Sequence, residues 1–438
     1  MSAGATVVVG GGIVGLACAY ELASAGQEVH VVDRSTIGTG SSVGNAGWVT
    51  QSHCFPVPSP GSVRAALRSV GRSDSPLYVR PSLSPRFLRW LYEFRRFCGR
   101  AAFAKGAAAL ASLGDQAVAQ YEKWQGDGIE TTLTRPGLVH AFLDEGEATR
   151  TLALQRSVAG GRFAVPEHPL TGSEITSLEP ALLGTEVRAA YLIEDEGLVD
   201  PSSLLESLLA RLRSLNVAVT ERTGVSGFVV ERGRVRAAVV DGRPLDCSRL
   251  VVASGTWSAD VLALLGVSVR MQAGKGYSFS VNLPVAPRRP LYLGDKHVAV
   301  SPLGASTRIA GTMEFSGNNL RLDWRRVEAI ATASRHYLGD WFGNQDELIG
   351  RIESPWVGGR PMVPDGLPLI DRLPNVDNAY VATAHGMLGV TLAPTTASAL
   401  ADMVIGSRKP PVHEPFGFDP ARRLAGKRQS APLPLSTR

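Results

Sequence analysis

Cysteine is scarce in this chain of 438 residues. The four present, Cys18, Cys54, Cys98 and Cys247, lie far apart, with no CxxC pair and no Cys/His cluster. That spacing argues against a disulfide framework or a thiolate metal site and fits a reducing cytoplasm. Strong charge of either sign is also missing, since the net charge is only +5. Arginine and lysine thicken around residues 84–100 and again after residue 421, but no nucleic-acid motif accompanies them, so no nucleic-acid partner is expected. No apolar run is long and uninterrupted enough to span a bilayer. The apolar start "TVVVGGGIVGLACAYELA" has the hydrophobicity of a signal sequence without its basic flank. No internal repeat is visible. What remains is a chain 44% hydrophobic, with material for a sizeable core and length for two domains or one two-lobed unit.

The N-terminus reads as strand, helix, strand. "ATVVVG" is a β-branched run suited to burial on both faces, "GGIVGLACAYELASAG" has helical spacing and ends at Gly26, and "EVHVVD" is a second strand. Between the strands stands Gly10-x-Gly12-x-x-Gly15, and Asp33 closes the second. In this βαβ context the pattern is a dinucleotide fingerprint. Gly10 permits the tight turn, Gly12 lets the backbone approach a pyrophosphate, and Gly15 allows close helix–strand packing. The helix N-terminus supplies positive potential, and Asp33 is expected to accept from ribose hydroxyls.

Two further segments favour FAD over NAD. "GTGSSVGNAGWV", residues 38–49, is rich in small residues and hydroxyls, as suits a loop lying on phosphate and flavin. "RLVVASGTWSADVLALLG", residues 249–266, reads as a strand, a small-residue turn and a helix that complete the dinucleotide domain from far along the chain. There is no second GxGxxG and so no sign of a separate NAD domain. Elsewhere, residues 85–125 and 201–216 read as helices, and residues 217–254 as short strands with glycine turns. Segments 274–285 and 297–315 read as strands of an antiparallel sheet. The tail after about Pro410 reads as loosely ordered.

In this order, "VVVGGGIVGLACAYELASAGQEVHVVDR", "GSSVGNAG", "EDEGLVDPSSLLESL", "VVASGTWS", "GKGYS", "GGRPMVPDGLPLIDR" and "ATAHGMLGVTLAPTTASALADMV" resemble the FAD-dependent D-amino acid oxidase superfamily. Within it the likeness is to bacterial D-amino acid dehydrogenases of the small-subunit type, and it covers nearly the whole chain. The resemblance implies an α/β fold, α+β overall: a glutathione-reductase-like Rossmann FAD-binding domain with an antiparallel-sheet substrate-binding domain over the flavin. It divides the chain into an FAD domain (1–85, 196–268 and 356–412), a substrate domain (86–195 and 269–355) and a C-terminal tail (413–438). Carried over residue by residue, it puts Gly10, Gly12, Ile13, Val14, Gly15, Asp33 and Arg34 on the cofactor. With them go Ser41, Ser42, Asn45, Ala46 and Gly47 from the loop, then Val225, Ser254, Gly255 and Trp257. Gly386, Met387, Leu388, Gly389, Val390 and Thr391 complete the set. The stretch "VTQSHCFPVPSPGSV" departs from the aromatic, Ala- and Pro-rich version of close relatives, so His53, Cys54 and Phe55 are expected to give a different pocket wall.

One charge stands alone in "WVGGRPMVPDGLPLID". In the family, an arginine in a G-x-R-P setting holds the substrate α-carboxylate above the flavin. The residues agree: Gly358 and Gly359 let backbone approach a ligand, Pro361 stiffens the position, and the guanidinium of Arg360 is a planar fork matched to a carboxylate. A buried arginine needs an anion, which a remote acid would also supply. Lys275, Tyr277 and Phe279 alternate and so share one strand face. Tyr277 is a candidate second carboxylate ligand, with a buried structural role as the alternative. For Tyr292, His297 and Met313, core packing is the expected role. Near the C-terminus, a helix from about Val390, with Pro394 in its first turn or so, is expected to aim its N-terminus at the flavin N1–C2=O edge.

The expected reaction is oxidation of a D-amino acid, with hydride passing from Cα to flavin N5 and the imino acid hydrolysing to a keto acid. Positioning carries the catalysis, so no side-chain base is named and no metal is expected. Alternatives are glycine, an N-methyl or cyclic amino acid, or a biosynthetic amine on the same scaffold, and, from another class, a non-catalytic FAD-binding protein. The electron acceptor is a quinone or oxygen. Sarcosine-type oxidases set a lysine over the flavin, and Ile309 is the expected counterpart here, which favours a dehydrogenase. The segment "RFLRWLYEFRRF" has the aromatic and arginine pattern of a helix lying on an anionic inner-membrane surface. The same pattern suits a helix packed on the lid sheet with its arginines in water.

Overall fold

The computed structural model describes residues 4–64, 75, 77–80, 82–406 and 416–417, so nearly all of the expected tail lies outside the described residues. A six-stranded sheet runs in the order Leu369–Arg372, Ala379–Thr383, Arg249–Val252, Thr6–Val9, Val29–Val32, Ala218–Thr220. All its pairings are parallel except the first. Thr6–Val9 is buried throughout, as a β-branched run at a sheet centre should be. Helices Ile13–Ser24 and Gly389–Ile405 cover one face in a shared core, and the three-stranded sheet Val225–Glu231, Arg234–Val240, Arg243–Asp246 covers the other.

Pro394 is the sixth residue of the helix Gly389–Ile405, one turn deeper than expected. A proline there cannot donate to the carbonyl four residues back. The Tyr121 hydroxyl donates to that carbonyl, Val390 O, at 2.7 Å, so the helix continues without an orphaned acceptor.

The second sheet has eight strands. Seven run in the order Glu353–Met362, Gln272–Val281, Ser306–Phe315, Val298–Leu303, Leu291–Leu293, Leu138–Phe142, Ala189–Ile193, and Leu77–Val79 pairs with Ser306–Phe315. It is antiparallel apart from two parallel junctions, at Leu138–Phe142 and at Leu77–Val79. The expected domain boundaries at 85 and 356 cut into this sheet, because Leu77–Val79 and all of Glu353–Met362 pair within it. Helix Trp324–Leu338 packs on one face with Tyr277, Phe279, Ile309, Val327 and Ile330 in one core. The opposite face looks onto the dinucleotide sheet.

Helix Pro85–Phe97 turns Phe87 and Trp90 inward and leaves Leu88 and Tyr92 in solvent. The Trp90 indole donates to Met362 O at 3.2 Å, which ties the helix to the lid sheet. Among the described residues, no helix is long and apolar enough to cross a membrane.

Candidate active site

A cavity of about 1360 Å³ runs between the two sheets. Small-molecule pockets span roughly 300–1,000 Å³, so this one suits an extended dinucleotide with a second ligand beside it. At one end the chain turns at Gly10, whose φ of 118° a side chain would resist and whose Cα abuts the Ala253 carbonyl. Gly15 packs against the Gly10 carbonyl with no room for a methyl group, so the helix rests directly on the strand. Asp33 accepts from Gly11 N at 2.6 Å and from Ser35 N at 2.7 Å, one bond per oxygen, and lines the cavity with a lone pair left on each. Arg34 lies over the Trp257 ring, 5.0 Å from its centroid, at the same end. Ser254 donates to Val9 O at 2.9 Å, and Gly255 turns with φ 55°.

The loop after the second strand closes the middle of the cavity. Ser42 Oγ accepts from Ile13 N at 3.0 Å, leaving its own proton for an anion at the helix N-terminus. Ser41 donates to Gly359 O, and Asn45 Nδ2 to Met387 O at 3.3 Å. Arg308 Nη1 donates to Val43 O and Asn45 O, both at 2.8 Å, so the second sheet holds the loop in place. Thr391 donates to Trp48 O at 2.8 Å. Gly386, Met387, Leu388, Gly389, Val390 and Thr391 line the cavity at the start of their helix, and Val225 lines it near Arg34. All the expected cofactor residues line it except Gly15 and Gly47, which shape the backbone behind it. Gly47 turns at φ 79° against the Val199 carbonyl. A glycine cradle beneath a helix N-terminus, an acid at the strand end and a second helix N-terminus further along fit FAD. They would hold its pyrophosphate at Gly12–Ile13, its ribose at Asp33 and its flavin against Gly389–Thr391.

Arg360 lies beyond that helix start, on the strand Glu353–Met362. Its side chain crosses Gly276 of the neighbouring strand, and its Nη1 donates to Thr312 O at 2.7 Å. Thr312 sits at a bulge in Ser306–Phe315, with φ 59°, which turns its carbonyl toward the arginine. Burial lowers the guanidinium pKa to about 10, so it stays charged at neutral pH. No carboxylate lies within ion-pair distance of it among the described residues, and the rest of the guanidinium faces the cavity. The remote acid that the sequence left open is absent among the described residues.

Tyr277 does not join Arg360. It points to the helix-covered face, and its hydroxyl donates to Glu314 Oε2 at 2.7 Å. Glu314 is also reached by Lys275 Nζ, at 3.2 Å from Oε1, and by Arg326 Nε, at 3.5 Å from Oε2. Burial alone would raise the Glu314 pKa; bonds from Ser316 and Tyr277 and the Lys275 charge outweigh it and hold the pKa below the usual carboxylate value. Ile309 is buried on this same face and lies nowhere over the cavity, so the comparison with an oxygen-activating lysine fails at that position. Tyr292 and His297, expected in the core, line the cavity instead, and Met313 does both, packing with Trp90 and Met362 as expected and lining the cavity.

His53 and Phe55 also line it, while Cys54 is buried behind them. The His53 ring stacks on His140 with centroids 4.9 Å apart, and Tyr292 meets His53 edge-on at 4.6 Å. Burial drives the His53 pKa down to about 4, so the ring is neutral at working pH. Glu196 holds this loop, accepting from Gln51 N at 3.0 Å and Ser52 N at 2.9 Å, and its own burial raises its pKa to about 7. The sequence reading missed the Thr312 carbonyl and the Trp48 and Trp356 walls. Trp356 covers Gly44 and Gly358, so the glycines of "GSSVGNAG" and "WVGG" were the available signal.

The chain matches the family described as "DAO: FAD dependent oxidoreductase" over residues 5–403. It is 31% identical to "D-amino acid dehydrogenase 2" of Ralstonia nicotianae, covering 91% of this chain and 95% of the relative. It is also 31% identical to a "D-amino acid dehydrogenase" of Cereibacter sphaeroides, over 97% of each chain. Among solved structures it is similar to glycine oxidase from Geobacillus kaustophilus, with TM-score 0.71, 23% identity, and 95% and 98% of the two chains covered. It is likewise similar to L-proline dehydrogenase from P. horikoshii, with TM-score 0.71, 18% identity, and 93% and 95% covered. The chain belongs to the DAO family of FAD-dependent oxidoreductases.

Proposed function

We propose that this enzyme oxidises a D-amino acid to an imino acid, which water then hydrolyses to a keto acid and ammonia. The observation that carries the reading is Arg360: a guanidinium in the cavity with one carbonyl partner and, among the described residues, no protein anion. A substrate α-carboxylate supplies that anion through two parallel hydrogen bonds. The curated relatives named D-amino acid dehydrogenase support this substrate class. FAD, when bound, accepts the hydride from Cα at its N5 atom.

The chain's own residues do the positioning. Arg360 fixes the carboxylate, the Thr312 carbonyl fixes Arg360, and Trp356 and Met313 wall the space beside it. With the neutral amine bound, its nitrogen lone pair develops into the C=N bond as Cα loses hydride, and the remaining iminium proton passes to water. No side-chain base is required. The helix N-terminus at Gly389 would offer a fixed positive dipole to the negative charge that a bound flavin gains on reduction. The physiological acceptor is a quinone in preference to oxygen.

Glycine or a cyclic amino acid is the second reading, favoured by the likeness to a glycine oxidase and a proline dehydrogenase. Anaerobic mixing with D- and L-amino acids, glycine, sarcosine, D-proline and 2-hydroxy acids separates the readings. Bleaching of the flavin by D-amino acids is expected. Bleaching by glycine, sarcosine or D-proline alone moves the substrate, and no bleaching by any of them leaves a flavin-binding protein without this activity.

A further inference from the structure

The floor and far wall of the cavity carry a second piece of recognition. Tyr292 pairs with Ala299 and Ala299 with Ala310 across adjacent strands, and all three line the cavity. Ala310 precedes by two residues Thr312, the carbonyl partner of Arg360. Two strand spacings of about 4.8 Å and two residues at about 3.3 Å put Thr312 and Tyr292 roughly 12 Å apart. Between them the floor is alanine. A short side chain on a substrate held at Arg360 ends over Ala310, and a long one reaches Tyr292.

The far wall is aromatic and acidic. Trp48 and His53 both meet Tyr292 edge-on, with centroids 6.3 and 4.6 Å away, and the Tyr292 hydroxyl is hydrogen-bonded to His297 Nδ1 at 2.6 Å. Burial lowers the pKa of both His53 and His297, so neither adds a positive charge at neutral pH. Asp295 lines the cavity beside His297. Its Oδ2 accepts from both Leu143 N and the Tyr337 hydroxyl, each at 2.8 Å. Its Oδ1 has no partner, and no cation lies within ion-pair distance of it among the described residues. The neighbouring Glu147, by contrast, is already paired with Arg150 at 2.7 Å.

A carboxylate with a free oxygen, set among π faces, complements a cation. We infer that this wall selects D-amino acids with a cationic side chain, its ammonium or guanidinium seated between Asp295 and Tyr292. The inference rests on the reading of Arg360 as the carboxylate anchor. Arg360 and Asp295 then read the two ends of one substrate.

D-Lysine and D-norleucine test it, because they share one carbon chain and differ by the terminal ammonium. In anaerobic flavin reduction, D-lysine is expected to give at least a tenfold higher kcat/KM than D-norleucine. Asp295→Asn, which still accepts from Leu143 N and Tyr337, should lower that ratio at least tenfold, with FAD content reporting on folding. Should that variant lose FAD, Tyr292→Leu is read by the same ratio. D-Norleucine performing as well as D-lysine, or a ratio that survives in these variants, overturns the inference while D-amino acid oxidation stands. If no D-amino acid reduces the flavin, the proposed function falls and this inference with it.

Discussion

Arg360 lies across Gly276, and a methyl group at that glycine would collide with both terminal nitrogens of the guanidinium. The arginine starts on one strand, crosses a second and bonds to a carbonyl on a third. Only a residue without a side chain lets it lie that flat. Gly276 does not itself have a positive φ, so its substitution acts through Arg360 and not through backbone strain.

Gly276→Ala is therefore expected to keep the fold and bound FAD and to lower kcat/KM by at least tenfold, mainly through KM. Steady-state kinetics with a D-amino acid and a dye acceptor read this out. Wild-type KM in the variant would remove the crossing from the account of binding.

Arg360→Ala should retain FAD and lose substrate. Removing one half of a charge-assisted pair costs about 1.5–3 kcal/mol, or roughly ten- to more than a hundredfold in kcat/KM. Arg360→Lys should restore only part of this, since an ammonium cannot make the two-pronged contact. Flavin reduction by the alanine variant at low substrate, as fast as wild type, would contradict the role given to Arg360.

FAD should be held without a covalent bond. Cys54 is buried behind the cavity wall, with its thiol pKa driven up by burial, so it is neither placed nor ionised to attack a flavin. After acid precipitation the yellow colour should stay in the supernatant. Colour in the pellet would point to His53, which does line the cavity.

Stability should fall as pH rises from about 4.5 to about 7 and level off above that. Glu196 has a folded pKa of about 7 against an ordinary 4.5, so the folded state binds its proton more tightly. Its contribution is complete below the unfolded value and is lost as pH climbs through about 7, a change of about 3 kcal/mol. Tm measured across this range should drop in the wild type. Glu196→Gln starts lower, because an amide nitrogen cannot accept the second backbone N–H, but should lack this pH-dependent fall.

Substrate-reduced enzyme should be reoxidised faster by a soluble quinone than by air at equal concentration. Cavity-facing positions on the strand Ser306–Phe315 include Ala310 and Thr312, and neither carries an amine. Faster reoxidation by air would make the enzyme an oxidase.

Much of this was legible in the residues themselves. Gly10, Gly12, Gly15 and Asp33 specify a nucleotide-binding turn because few other residues tolerate that backbone at that spacing. Arg360 was visible because an unpaired charge in a glycine–proline frame has few other uses. Alternation also put Lys275, Tyr277 and Phe279 on one face of a strand, as observed. Which face that is could not be read from alternation. Period two separates the faces of a strand by polarity only when one of them meets water, and here one meets a helix and the other a cavity. Tyr277 and Ile309 therefore went to the wrong side of the sheet, and Tyr292 and His297 were expected in a core they do not join, whereas Met313 packs with Trp90 and Met362 as expected and also reaches the cavity. The Thr312 carbonyl that holds Arg360 exists only because a bulge turns it, and the Val390 carbonyl left by Pro394 is satisfied by Tyr121, 269 residues away in sequence. Local residue chemistry determined the cofactor turn and the anion-binding arginine; tertiary packing decided what the arginine leans on and which side chains share its cavity.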